Sequence, residues 1–142
     1  MIHRLAALSL LLASTAALAQ AQGGSREQPK WDVNAPPGQR LRQVPLNVSE
    51  GTWMNVDVSP DGRTIAFDLL GDIYTMPIAG GRPTRITSGL AWDMQPRFSP
   101  DGRQLAFTSD RGGGDNIWVM ATDGSGARAI TTETFTLLNN PT

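Results

Sequence analysis

Two five-residue runs put a hydroxyl, a carboxylate and a guanidinium side by side: Ser59-Pro60-Asp61-Gly62-Arg63, repeated letter for letter as Ser99-Pro100-Asp101-Gly102-Arg103. On paper Asp61 and Asp101 make a carboxylate pair of the kind used in general acid/base chemistry. Their neighbours argue for another role. Proline presets φ at the second position of a tight turn, aspartate tolerates the third, and glycine takes the left-handed conformation that follows. Each Asp is therefore expected to steady a hairpin turn by accepting a hydrogen bond from nearby backbone N–H.

A second set surrounds three glycines. Asp110 and Asp115 flank Arg111-Gly112-Gly113-Gly114, and carboxylate oxygens at such a loop can ligate Ca²⁺. The spacing is not that of an EF-hand loop, so a solvated glycine turn with capping carboxylates is the expected reading. Trp92 and Asp93 precede this loop in the chain, and with Asp110, Arg111 and Asp115 they form the candidate binding set.

Other chemistries are excluded by composition. The 142 residues include no Cys and a single His, His3. No disulfide, thiolate zinc site or cysteine nucleophile can be built. No phosphate-cradling glycine loop followed by Lys-Ser/Thr occurs. Twelve basic groups against thirteen acidic ones give a net charge of −1, and no basic stripe is present, so nucleic acid is not an expected partner.

His3 lies in a segment that reads as a secretory signal peptide, residues 1–19. Arg4 is followed by an apolar run from Leu5 to Leu12, and Ala17-Leu18-Ala19 fits the small-x-small exit, with Ala19-Gln20-Ala21 as the alternative. Cleavage there leaves a chain without histidine, from which a Ser-His-Asp set cannot be assembled. The run is short for a spanning helix, so no membrane span is expected after cleavage. The expected location is the periplasm or the outside of the cell.

Residues 20–43 read as a polar leader and an extended arm around Pro36-Pro37-Gly38. From there Val44, Leu46 and Val48 alternate with Pro45 and Asn47, the pattern of an edge strand. The two turns then set the register of everything else. Val56 and Val58 precede the first, and Phe98 occupies the place of Val58 before the second. Thr64-Ile65-Ala66-Phe67 and Gln104-Leu105-Ala106-Phe107 follow, with apolar residues at every second position. A third strand reads Asp72-Ile73-Tyr74-Thr75-Met76 or Asn116-Ile117-Trp118-Val119-Met120. A glycine turn comes next, at Gly80-Gly81 or Gly124-Ser125-Gly126, and a fourth short strand at Arg85-Ile86-Thr87 or Ala129-Ile130-Thr131.

Four short antiparallel strands in roughly 40–45 residues is the period of a propeller blade. The expected fold is all-β, with one blade over residues 55–87, a second over 95–131 and the start of a next blade at 139–142. The domain spans residues 44–142, an incomplete propeller in a longer protein. The aromatics Phe67, Phe107, Tyr74 and Trp118 sit at matched strand positions and are expected in the core.

Aromatic-Ser-Pro-Asp-Gly-Arg, then Leu-Ala-Phe-Thr-Ser-Asp, a Gly-rich loop, Asn-Ile-Trp-Val-Met, Asp-Gly and Ile-Thr resembles the TolB-like propeller repeat. The match runs through residues 95–131 and, with a shorter loop at Asp68-Leu69-Leu70-Gly71, through residues 55–87. Trp31-Asp32 and Trp92-Asp93 fall outside the strands, with no Gly-His partner, so a WD repeat is rejected. The resemblance implies a non-catalytic propeller segment that scaffolds or gates, with a protein partner or a C-terminal domain of the same chain as its contact. Val44-Pro45-Leu46 with Ser49-Glu50-Gly51-Thr52-Trp53 also resembles the start of secreted amidohydrolase-family proteins. That likeness implies a hydrolase domain beyond residue 142, with a divalent metal there and no cofactor in this segment; a prolyl-oligopeptidase-like domain is the further alternative. Antiparallel strands put the Ser-Pro-Asp-Gly turns at one end of each blade and the longer loops at the other. The longer loops make the expected binding rim, carrying Trp92, Asp93, Asp110, Arg111 and Asp115.

Overall fold

The computed structural model describes residues 30–142. The signal peptide at 1–19 and the first part of the leader, 20–29, lie outside the described residues. Eight strands form two four-stranded antiparallel sheets and no helix is present among the described residues. The first sheet is β1 (Val56–Val58), β2 (Thr64–Leu69), β3 (Asp72–Pro77) and β4 (Thr84–Arg85). The second is β5 (Asp93–Phe98), β6 (Gln104–Ser109), β7 (Asn116–Ala121) and β8 (Arg128–Ala129). Each runs in plain sequence order, a meander. These are two propeller blades.

Blade packing follows from the period-2 alternation. Leu105 and Phe107 on β6, Met120 on β7, and Ala66 and Ile73 from the first blade form one buried cluster, with Ile86, Phe98 and Trp118 packed against it. The core is thus shared between blades, and β5 lies against β1 and β2. Cross-strand partners are aromatic in both copies. Phe67 and Tyr74 stack with centroids 5.5 Å apart, and Phe107 pairs with Trp118. Phe67 and Phe107 are buried, while Tyr74 and Trp118 are partly so.

Several boundaries differ from the sequence reading. Val44, Leu46 and Val48 form no strand, and the three side chains are 65%, 50% and 55% exposed. Alternation makes a strand only where an edge and an apolar surface receive it, and no described residue offers either there. In the first blade Asp68 and Leu69 belong to β2, so the loop shrinks to Leu70-Gly71. Both have positive φ, +53° and +84°, the requirement of a tight two-residue hairpin. The fourth strands sit earlier than read, at Thr84–Arg85 and Arg128–Ala129. Beyond them Ile86 and Ile130 still donate to the carbonyls of Ile73 and Ile117, both at 2.9 Å. The hydroxyls of Thr87 and Thr131 then accept the N–H of Ile73 and Ile117 (2.8 and 2.9 Å), so a side chain takes over from the ladder. Finally, β5 begins at Asp93 and carries a one-residue bulge between Met94 and Arg97. Gln95, in the bulge, has φ +58°.

Candidate functional site

The two ends of the blades differ in kind. At the turn end the repeat is reproduced atom by atom. Ser59 donates its hydroxyl to Asp61 Oδ1 (2.6 Å), the same oxygen accepts Arg63 N–H (3.0 Å), and Ser59 Oγ accepts Thr64 N–H (2.9 Å). Ser99, Asp101, Arg103 and Gln104 repeat this at 2.6, 3.1 and 3.0 Å. Gly62 and Gly102, at φ +70° and +71°, each return an N–H to the serine carbonyl at 2.8 Å. The serine hydroxyl and then the backbone N–H hold Asp61 and Asp101 below the ordinary carboxylate value. Pro60 and Pro100 lie at the exposed corners. The carboxylates are thus engaged in turn geometry, each through one oxygen.

At the opposite end the loops converge. Asp110 accepts the backbone N–H of Trp92 at 2.7 Å, and the Trp92 ring lies over Gly71, where a Cβ would be 2.9 Å from Trp92 Cε3. The indole remains 51% exposed, beside Leu70 at 67%. Asp93 is placed differently from a surface ligand. It is fully buried on β5, where its carboxylate accepts the Ser109 hydroxyl (2.6 Å) and pairs with Arg111. The Arg111 guanidinium in turn lies 5.4 Å from the Phe107 ring centroid and 5.3 Å from that of Trp118. Arg111 O accepts Asn34 Nδ2 at 3.1 Å, so the arm touches this end. Asp115 is partly buried in the same loop. No group of three or more His, Cys, Asp or Glu able to hold a metal occurs among the described residues. The five rim residues are therefore brought to one end, with Trp92 presented, Asp110 fixing its backbone, and Asp93 and Arg111 forming the support beneath.

A TolB β-propeller domain profile matches residues 39–140. The chain belongs to the TolB β-propeller family. A Tol-Pal system protein TolB of Francisella tularensis is 33% identical to this TolB-family chain over 97 residues, covering 64% of it and 21% of the relative. An uncharacterised Agrobacterium fabrum protein is 40% identical over 81 residues (54% and 28%), and a tricorn protease homologue of Streptomyces coelicolor 35% over 72 (51% and 7%). Solved structures are similar too, and two serve as examples. One, described as a TolB from Agrobacterium tumefaciens, gives a TM-score of 0.54 at 36% identity over 60% of this chain and 32% of that one. The TolB of Acinetobacter baumannii gives 0.52 at 30% identity over 59% and 22%. The chain thus spans between 7% and 28% of the three sequence relatives' own lengths.

This TolB-family chain also uses residues that motif reading passed over. The buried Asp68 accepts Asn55 N–H and Nδ2 (both 2.9 Å) and, across the blade boundary, Gln95 N–H (2.7 Å). Asp57 on β1 likewise accepts Phe98 N–H at 2.7 Å. Gln95 Oε1 repeats the latch one step on, accepting Thr108 Oγ1 (3.2 Å) and the N–H of Asn140. Arg97 donates to Asn140 Oδ1 at 2.9 Å. The available signal was the register itself, which aligns Asn55 with Gln95 and Asp68 with Thr108. A polar residue at a matched inner position was the clue. Asp72 carries a cost instead: burial, opposed by Arg85 (3.3 Å), raises its carboxyl above the ordinary value, and its Oδ1 has no partner among the described residues.

Proposed function

We propose that this chain is a non-catalytic TolB-like propeller segment, a protein-interaction module that scaffolds or gates, in an exported protein, and that its loop rim makes the contact. One observation carries the reading: Trp92 offers half of its indole to solvent from a backbone pinned by Asp110 and a ring seated on Gly71. A pre-positioned aromatic contributes binding energy with little ordering cost, which is the pattern of interface hot spots. No helix among the described residues is long and apolar enough to cross a membrane.

The test is site-specific photo-crosslinking in the full-length protein. A benzophenone amino acid at position 92 should crosslink to a protein partner or to another domain of the same chain, whereas the same probe at Arg128, on the outer strand, should not. Equal yields at both positions would overturn the rim assignment. N-terminal sequencing of the mature protein should begin at Gln20; an intact Met1 would remove the export part of the proposal.

A second reading is a propeller attached to a hydrolase, and the similarity to the tricorn protease homologue favours it. An amidohydrolase-like domain would bring hydrolysis that a metal chelator abolishes. A peptidase-like one would bring chelator-insensitive cleavage of peptides. Assaying the full-length protein with and without chelator separates both from the first reading.

A further inference from the structure

Between the two Ser-Pro-Asp-Gly turns, at the end of the blades opposite the rim, lies an open cleft of about 360 Å³. That is the lower part of the size range of small-ligand pockets. Asp61, Asp101, Thr64, Thr75, Thr122 and Phe98 provide its chemistry, and no basic residue lines it among the described residues. We propose that this cleft binds the basic side chain, lysine or arginine, of a peptide segment.

The residues argue for that class of ligand. In each turn the serine hydroxyl and a backbone N–H converge on Oδ1, and no hydrogen bond from the described residues reaches Oδ2 of either Asp. Two carboxylates thus bring one free oxygen each, held by networks already complete without a ligand. Three threonine hydroxyls supply further acceptors, and Phe98 with Pro60 supplies apolar surface for a methylene stem. Arg63 and Arg103 follow the carboxylates in sequence, are exposed, and do not line the cleft. They weaken the local field without filling it.

A hard divalent ion fits poorly, because Ca²⁺ takes six to eight oxygens and no group of three acidic or other metal-ligating residues is present among the described residues. A monocation with several N–H donors matches two separated oxygens and neighbouring hydroxyls. The walls come from different blades, yet they meet closely: a Cβ at Gly102 would lie 3.4 Å from Pro60 Cδ. The site is therefore set by the packing of the two blades.

The test uses the full-length protein, labelled with ¹⁵N, and four probes: the N-acetyl methylamides of arginine, lysine and norleucine, and calcium chloride. The arginine or lysine probe should shift the amides of Gly62 and Gly102 saturably, and the norleucine probe should not. Asp61→Asn with Asp101→Asn keeps an oxygen for each turn and should weaken binding about tenfold. Thr122 meets the second turn through its backbone N–H, which donates to Arg103 O at 3.3 Å; Thr122→Val keeps that bond, should also weaken binding, and keeps the question answerable if the double variant misfolds. Equal shifts from norleucine, no shift from either basic probe, preferential binding of calcium, or unchanged affinity in both variants would each overturn the proposal. Because the rim lies at the other end, any of these results leaves the crosslinking test untouched.

Discussion

Asp61 and Asp101 combine exposure with two hydrogen bonds each to Oδ1, so their effect on stability has a definite pH signature. The folded carboxyl binds its proton more weakly than the unfolded one, which means that protonation favours unfolding. The contribution is in place above the ordinary value of 3.8 and is lost as pH falls through the lower, folded value. Urea unfolding should show a constant gap between wild type and the Asp61→Asn, Asp101→Asn variant at neutral pH, and a shrinking one below 3.8. Asp72 has the opposite sign. Its raised value makes the charged form a liability above that value, relieved as pH falls towards the ordinary one. The matching residue in the second blade is Asn116, whose Oδ1 accepts from Thr131 Oγ1 and Glu133 N–H, while its Nδ2 donates to the carbonyls of Gly114 and Glu133. Asp72→Asn should therefore leave stability at neutral pH unchanged or higher, and a loss there would contradict the burial argument. Gly102→Val places a β-branched residue at φ +71° and should cost about 1–2 kcal/mol in chemical denaturation. The turn roles of these residues were readable from sequence because they depend on local geometry alone. The burial of Asp93 was not, because it is decided by Ser109 and Arg111, sixteen and eighteen residues away.

The strands were readable as strands, since apolar alternation and a fixed register survive wherever a blade packs. Their ends were not. The ladder at β4 and β8 gives way to threonine hydroxyls, and a hydroxyl that replaces a backbone partner leaves no mark on hydrophobic periodicity. The β2–β3 hairpin gives a prediction of its own. Leu70 occupies the left-handed region that Asn adopts more readily, and its side chain is 67% exposed. Leu70→Asn produces the favoured Asn-Gly pair and should raise the denaturation midpoint by the equivalent of about 1 kcal/mol. The rim loop after β6 depends on a buried pair rather than on turn residues. The side chains of Asp93 and Arg111 are 1% and 21% exposed, and removing one partner strands the other charge. Arg111→Ala should cost about 3–5 kcal/mol, and adding Asp93→Asn should restore part of that loss in a double-mutant cycle. A double variant no better than Arg111→Ala alone would show that the pair is not the anchor.

The blades are joined by polar latches as well as by the shared apolar core. Asp57 and Asp68 reach backbone N–H groups of β5, and Gly124 in the second blade approaches the first so closely that a Cβ would sit 2.3 Å from Ile86 O. Removing the Asp68 carboxylate leaves Gln95 N–H without its acceptor, at about 1–3 kcal/mol. In hydrogen exchange on Asp68→Ala, residues 93–98 should lose protection before those of β2–β3. Uniform loss across both blades would mean that the latch carries no separate weight. The repeat made this architecture visible in the sequence as a count of blades. How the blades hold one another was hidden, because residues such as Asp57 and Asp68 answer to backbone N–H groups of the neighbouring blade and not only to their own strand.

The cation above Trp118 has an optical consequence. Three of the four tryptophans, Trp31, Trp53 and Trp92, are 64%, 99% and 51% exposed, while Trp118 lies beneath Arg111 with its indole N–H buried and without a partner among the described residues. An indole cut off from water emits to the blue of one in contact with it, and a nearby positive charge shifts the emission according to which part of the ring it faces. A protein retaining Trp118 alone would therefore report by colour whether the Asp93–Arg111 support is intact. One retaining Trp92 alone would report on the water contact of the loop end and so would test the proposed rim directly. The chain carries two separate lamps, one at its buried ion pair and one at its exposed loop end.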